Sequence, residues 1–328
     1  MSLLELRNVE VVYRRPDGTP VPAVAGASLD VDAGEIVGLV GETGCGKSSL
    51  ARAAVGLVPV AAGTVTFEDR PVHVLGRRAR RPGERRLQLV FQNPYESINP
   101  RRTVGAQVAD AFAIGRTLPR SSWRRRVEEL LDRVGLPASM AGRFPHQLSG
   151  GQRQRIAIAR ALAADPAMIV LDEPLSALDA SVQAQVANLL VDLARDLQVG
   201  MLLISHDLAI VRHVAHRTAV MYLGVVVETA PTAQLWQAPM HPYTQALINA
   251  IPHADGAGHL PAALTGEIPD PARPPSGCRF HPRCPHVMDR CVAEVPELVA
   301  REGGRAVACW LHEAPAAGRP AGVQQAAP

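Results

Sequence analysis

Between an apolar run at residues 36–40 and a helix-compatible run at 50–55 stands Gly41-Glu42-Thr43-Gly44-Cys45-Gly46-Lys47-Ser48-Ser49, the pattern G-x-x-x-x-G-K-[ST]. Strand, glycine turn, helix is an order suited to wrapping an anion, because the glycines let backbone N–H groups converge and the helix N-terminus adds positive partial charge. Such a unit demands an α/β fold in which the strand lies in a sheet covered by helices. Lys47 is the only lysine, although Lys and Arg together number 34. A slim ammonium can lie along phosphates as a point charge inside a backbone nest, where the wider guanidinium fork does not fit.

The chain has 328 residues, 47% of them hydrophobic, enough for one large core with an appendage. The net charge of +3 is scattered, and the arginine-rich stretch 77–86 lacks interleaved aromatics, so it reads as a solvated loop and not as a nucleic-acid surface. No apolar run approaches the ~20 residues that cross a bilayer, and Glu5 stands where a signal peptide needs an apolar centre. A cytoplasmic location is expected.

Residues 4–13 and 27–31 read as strands flanking a turn at Pro16-Asp17-Gly18, with another strand at 63–68. Residues 103–135 read as two helices, the second opened by Ser121 or Ser122 and pairing Arg124 with Glu128 and Arg125 with Glu129. Strands at 168–171, 201–204 and 218–222 alternate with helices at 180–198 and 208–216, which predicts a parallel sheet. Proline and glycine crowd residues 252–285, and 314–328 is an Ala/Pro/Gly tail expected to be disordered.

A strand ending in Asp172-Glu173 would present two carboxylates at the sheet edge where ligands bind. Asp172 suits Mg²⁺, and Glu173 suits polarising the water that attacks a γ-phosphate. Leu148-Ser149-Gly150-Gly151-Gln152 caps a second helix whose free N–H groups suit another phosphate. Two chains related by a two-fold axis can each close that turn over the other's phosphate loop.

With these motifs in order, the sequence resembles the ATP-binding subunits of ABC transporters, over residues 13–206. The resemblance implies a P-loop ABC-type nucleotide-binding domain: a parallel sheet core, an antiparallel β subdomain and a helical subdomain at about 93–164, within residues 1–251. It makes Gln92 the glutamine that touches Mg²⁺ and the attacking water, His206 the γ-phosphate switch, and Tyr13 the aromatic that stacks on adenine. Gly41 through Ser49, Ser149, Gly150, Gly151, Gln152 and Asp179 complete the implied ATP contacts, with Ser48, Gln92 and Asp172 around Mg²⁺. Lys47, Gln92, Glu173 and His206 are the implied catalytic set.

Segments 91–101, 238–247 and 274–285 are similar to those of the oligopeptide/dipeptide importer ATPases, with nickel and glutathione importers sharing them. That family implies a second ATPase subunit, two membrane permease subunits, indirect supply by an extracytoplasmic binding protein, and a peripheral place on the cytoplasmic membrane face. A soluble ABC ATPase outside transport is the rival reading.

Residues 252–313 read as a linker with a small Cys-rich module, in which Cys278, Cys284, Cys291 and Cys309 are spaced C-x5-C-x6-C-x17-C. Four thiolates suit zinc or iron–sulfur, and structural zinc sites use tighter pairs. Some members of the resembling family hold a [4Fe-4S] cluster on this pattern, so a cluster is expected here over zinc or no metal. His281 and His286 could replace a ligand.

Overall fold

The computed structural model describes residues 2–76, 80–93, 97–115, 118–251 and 266–312. The hairpin β1 (Leu4–Arg14) and β2 (Pro20–Val31) precedes β3 (Ile36–Val40) and α1 (Lys47–Ala54). Next come β4 (Ala62–Phe67), β5 (Arg70–Pro71) and β6 (Leu87–Val90). The helical insert holds α2 (Val104–Gly115) and α3 (Trp123–Arg133), followed by α4 (Gly150–Leu162). Then β7 (Met168–Asp172), α5 (Ala180–Leu197), β8 (Gly200–Ile204), α6 (Leu208–Val214) and β9 (Arg217–Tyr222) alternate. The chain continues through β10 (Val225–Pro231), α7 (Thr232–Gln237), α8 (Pro242–Asn249), α9 (Asp289–Ala293), β11 (Val299–Arg301) and β12 (Arg305–Val307).

These strands make an antiparallel sheet in the order β2-β1-β4-β5 and a larger sheet in the order β11-β12-β10-β9-β3-β8-β7-β6. The larger sheet divides the interior, because alternate side chains of a strand point to opposite faces. Ile36, Val40, Ile169, Leu171, Met201 and Leu203 face the helices. Val37, Leu39, Val170 and Leu202 face α1 and the antiparallel layer. Arg217 ties β9 to the chain between the layers, donating to Asp30 at 2.7 Å and Glu35 at 3.0 Å.

Several expectations need correction. The large sheet is mixed: β3, β6, β7, β8 and β9 run parallel, but β10 returns antiparallel to β9. β2 begins at Pro20 and not at residue 27, which an edge strand tolerates because only one of its sides pairs with another strand of its sheet. Helix α6 stops at Val214, and His216 instead accepts a hydrogen bond from the Ile36 N–H at 3.0 Å. Ser122 occupies the position before α3, yet its hydroxyl bonds the Pro119 carbonyl at 2.8 Å. The pairs Arg124–Glu128 and Arg125–Glu129 form as read. The linker at 252–265 and the tail at 314–328 lie outside the described residues. No helix among those described is long and apolar enough to cross a membrane.

The C-terminal segment packs against the main body. β12 continues the large sheet beside β10, pairing Val307 with Glu228. Phe280 is 1% exposed, edge-on to Tyr222 at 5.3 Å and tilted to Tyr243 at 5.4 Å. Burying a large aromatic against a preformed surface contributes several kcal/mol. Phe280→Ala is therefore expected to lower unfolding stability by about 3–5 kcal/mol, read as a denaturant midpoint. A wild-type midpoint would mean that the segment does not support the core.

Candidate active site

The phosphate loop leaves β3 at the carboxyl edge of the sheet and turns into α1. Gly46 has φ +107°, and a Cβ there would stand 2.1 Å from the Ala23 carbonyl oxygen, so only glycine fits. Lys47 is 5% exposed and curls back over the loop, its Nζ donating to the carbonyls of Gly41 at 2.8 Å and Glu42 at 3.0 Å. An ammonium held by neutral carbonyls keeps its full charge for an incoming anion. Cys45 is buried beneath the loop, where desolvation pushes its thiol pKa up. Thr43 and Gly44 are exposed at the loop's crest.

Ser48 Oγ donates to Asp172 Oδ1 at 2.8 Å, joining the loop to the end of β7. Burial raises the pKa of Asp172, against the lowering effect of the Ser48 bond. A divalent cation at this pair would favour the ionised carboxylate, so the donor set suits Mg²⁺. Glu173 follows with φ 46°, the left-handed region, which a non-glycine residue seldom adopts. Its N–H bonds the Ile204 carbonyl at 3.0 Å. Its carboxylate accepts Gln92 Nε2 at 2.8 Å and lies 3.3 Å from His206 Nδ1. Three loops thus bring the Gln92 amide and the His206 ring onto the Glu173 carboxylate.

The remaining expected residues stand elsewhere. Ser149 caps α4, its Oγ accepting the Gln152 N–H at 3.3 Å while Gln152 Oε1 accepts the Ser149 N–H at 3.0 Å. A Cβ on Gly151 would meet Val182 at 2.4 Å, so this turn packs against the first turn of α5, which Asp179 caps. Asp179 accepts the Val182 N–H at 3.0 Å and the Ser181 hydroxyl, bonds that lower its pKa. Tyr13 lies exposed on β1 beside Val21. Among the described residues, no hydrogen bond joins Tyr13, Asp179 or the Ser149 turn to the Lys47 loop.

Sequence reasoning missed what props that loop. The Glu42 N–H donates to Tyr243 Oη at 2.8 Å, and Arg283 grips the Glu42 carboxylate with both arms, at 2.8 and 3.0 Å. Both residues lie inside segments that carried the family likeness, but neither position has a chemical signature of its own.

Cys278, Cys284, Cys291 and Cys309 line one small cavity together with His241, His281 and His286. The cavity is only ≈ 10 Å³, about one water, and among the described residues no group of three or more His, Cys, Asp or Glu is placed to hold a metal ion. The expected [4Fe-4S] cluster, and zinc in its place, therefore find no support: the thiols share a pocket without forming a cage. Burial raises the Cys309 pKa to about 11, which favours thiol over thiolate.

A separate groove of ≈ 630 Å³ runs between β6, α2 and α4, lined by Leu89, Phe91, Ile114, Arg85 and Arg160. Phe91 and Ile114 are exposed within it.

A glycine loop with a buried lysine, a Ser–Asp pair at its foot and a carboxylate held by glutamine and histidine define a P-loop ATPase. The family described as ABC transporter matches residues 24–176, and the oligopeptide/dipeptide transporter C-terminal region matches residues 227–291. A probable peptide ABC transporter ATP-binding protein of Sinorhizobium fredii is 48% identical, over 96% of this chain and 90% of its own length. The oligopeptide transport ATP-binding protein AppF of Bacillus subtilis is 42% identical, over 95% of this chain and 98% of its own. In structure, the dimeric ATP-binding cassette MJ0796 bound to ADP and Pi superposes with a TM-score of 0.63 at 27% identity, covering 70% of this chain and 98% of that one. The chain belongs to the ABC transporter ATP-binding family, in its oligopeptide/dipeptide branch, and is an ABC-type ATPase.

The region matched by that branch carries a titration of its own. His241 is 1% exposed, its Nδ1 accepts the Tyr243 N–H at 3.0 Å, and burial lowers its pKa from 6.5 to about 3. Below about pH 6.5 the unfolded chain gains a proton here that the folded chain refuses, so stability falls with acid across this window. Melting temperature is expected to drop more steeply from about pH 7 to about pH 5 in wild type than in His241→Asn. Equal slopes would contradict the neutral burial of His241.

Proposed function

We propose that this chain powers the import of di- and oligopeptides by binding and hydrolysing ATP at an interface with a second ATPase subunit. The observation that carries the hydrolytic reading is Glu173, whose carboxylate is held by Gln92 beside His206 and follows directly on the Asp172–Ser48 pair. In this reading Tyr13 stacks on adenine, while Gly41 to Ser49 cradle the phosphates with Lys47 along the β- and γ-groups. Ser48, Asp172 and Gln92 would hold Mg²⁺, which would supply charge neutralisation on the phosphates. Glu173 takes a proton from the water that attacks the γ-phosphorus as the bond to the β-phosphate oxygen breaks, and His206 contacts the γ-phosphate.

Ser149 is exposed and caps its helix without a hydrogen bond to the Lys47 loop, which supports closure from across a dimer, where a helix N-terminus would meet a partner's phosphate. Asp179 would lie at the same seam. The γ-phosphate contacts exist only before hydrolysis, and this difference is what lets ATP favour the closed pair. The groove between β6 and the insert, next to Gln92, suits a cytoplasmic helix of a permease: its apolar floor is rimmed by Arg85 and Arg160. Two permease subunits, fed by an extracytoplasmic binding protein, would place this chain peripherally on the cytoplasmic membrane face. Residues 1–251 would form the nucleotide-binding domain, with 252–313 following as linker and cysteine module. The match at 227–291 and the peptide transport named for its relatives support a peptide cargo over nickel or glutathione.

Glu173→Gln is expected to slow ATP turnover by about 10²–10⁴-fold while ATP still binds, and to abolish uptake of a labelled tripeptide by vesicles bearing the assembled complex. Turnover within about threefold of wild type would remove Glu173 from the role of base. Vesicles that accumulate nickel or glutathione and no peptide would reassign the cargo.

A further inference from the structure

Glu42 is the second residue of the phosphate loop, and all three of its polar groups are committed. Its N–H goes to Tyr243 Oη at 2.8 Å, its carbonyl to Lys47 Nζ at 3.0 Å, and its carboxylate to Arg283 at 2.8 and 3.0 Å. The last is a fork-to-carboxylate pair, the geometry in which an arginine fixes both position and orientation. The Arg283 side chain is 3% exposed and that of Glu42 17%, so water screens the pair weakly. The guanidinium also lies 5.9 Å from the Tyr222 ring centre and 6.0 Å from that of Phe280.

Arg283 comes from the loop that joins Cys278 to Cys284, 241 residues beyond Glu42. That loop is anchored by Phe280 in the aromatic cluster and by Arg279, which donates to the Leu223 carbonyl. A carboxylate in a loop that must receive a polyphosphate is an electrostatic liability unless a cation neutralises it. Lys47 meets Glu42 only through the backbone carbonyl, leaving the ammonium for the nucleotide.

We infer that Arg283 is a positioning residue for ATP: by holding and neutralising Glu42 it presets the phosphate loop, and so makes ATP affinity depend on the seating of the cysteine-lined C-terminal segment. The coupling is reciprocal, since whatever seats that segment more firmly binds with ATP and is bound more firmly in its presence. The inference rests on the reading of residues 41–49 as the ATP site.

The test is a double-substitution cycle on the full chain, reading ATP affinity with a fluorescent analogue, KM and kcat for hydrolysis, and the melting temperature. Arg283→Met is expected to weaken ATP binding and raise KM by about tenfold, within the ~5–150-fold range of such couplings, with kcat at saturating ATP largely kept. Arg283→Lys, which keeps the charge but not the fork, is expected to recover part of the loss. In a Glu42→Gln background, Arg283→Met is expected to change affinity by less than about twofold, because no carboxylate then remains to be neutralised. Equal losses in both backgrounds would reduce Arg283 to a structural prop and overturn the inference, as would unchanged affinity in a folded Arg283→Met chain. If Arg283→Met fails to melt cooperatively, Arg283→Lys in the two Glu42 backgrounds decides by the same comparison. A wild-type chain that does not bind ATP would overturn the ATP-site reading itself.

Discussion

One ammonium, withdrawn from water into a turn of backbone, is the constraint on which the rest depends. Lys47 is almost fully buried, paired with no carboxylate among the described residues, and held by the carbonyls of Gly41 and Glu42. Burying an unneutralised charge is costly unless something else uses it. The loop around it can take this shape because Gly41 and Gly46 let it pass within contact of Met221 and Ala23, where any Cβ would collide. In the proposed function a polyphosphate would make this arrangement favourable by supplying the missing negative charge.

The sheet carries that constraint to the candidate catalytic groups. β3, β7 and β8 are adjacent and parallel, so their carboxyl ends open on one edge, and the loops leaving them deliver Lys47, Asp172 with Glu173, and His206 to the same place. β6, beside β7, delivers Gln92. The two cores on either face of the sheet hold these strand ends in register, so groups up to 124 residues apart meet at hydrogen-bond distance. The Ser149 turn packs on α5 through Gly151, and in the proposed function it would serve the phosphate site of a partner chain.

Much of this was legible in the sequence because the responsible residues have sharp local signatures. A lysine after four spaced positions and a glycine, two carboxylates after four apolar residues, and a serine before paired glycines each imply a backbone geometry as well as a chemistry. The parallel strands were readable as continuous apolar runs, since both of their faces are buried. Harder to read was everything that depends on distant pairing. Residues 225–231 return antiparallel beside β9, and residues 305–307 join them only because Val307 finds Glu228 across the sheet. Arg283 and Tyr243 support the phosphate loop from more than two hundred positions away. The cysteines misled in the opposite direction, because their number suggested a metal cage, whereas the structure gathers them around a pocket of one water's volume.

The central claim is that ATP is clasped between two such chains, the loop of Lys47 on one side and the turn of Ser149 on the other. Sedimentation of the purified chain, alone and with its companion ATPase, measures this directly in the presence of a hydrolysis-resistant ATP analogue or of ADP. The account predicts a dimer with the triphosphate and separate subunits with the diphosphate. Subunits that remain separate at saturating triphosphate, or that associate equally well with ADP, would contradict it.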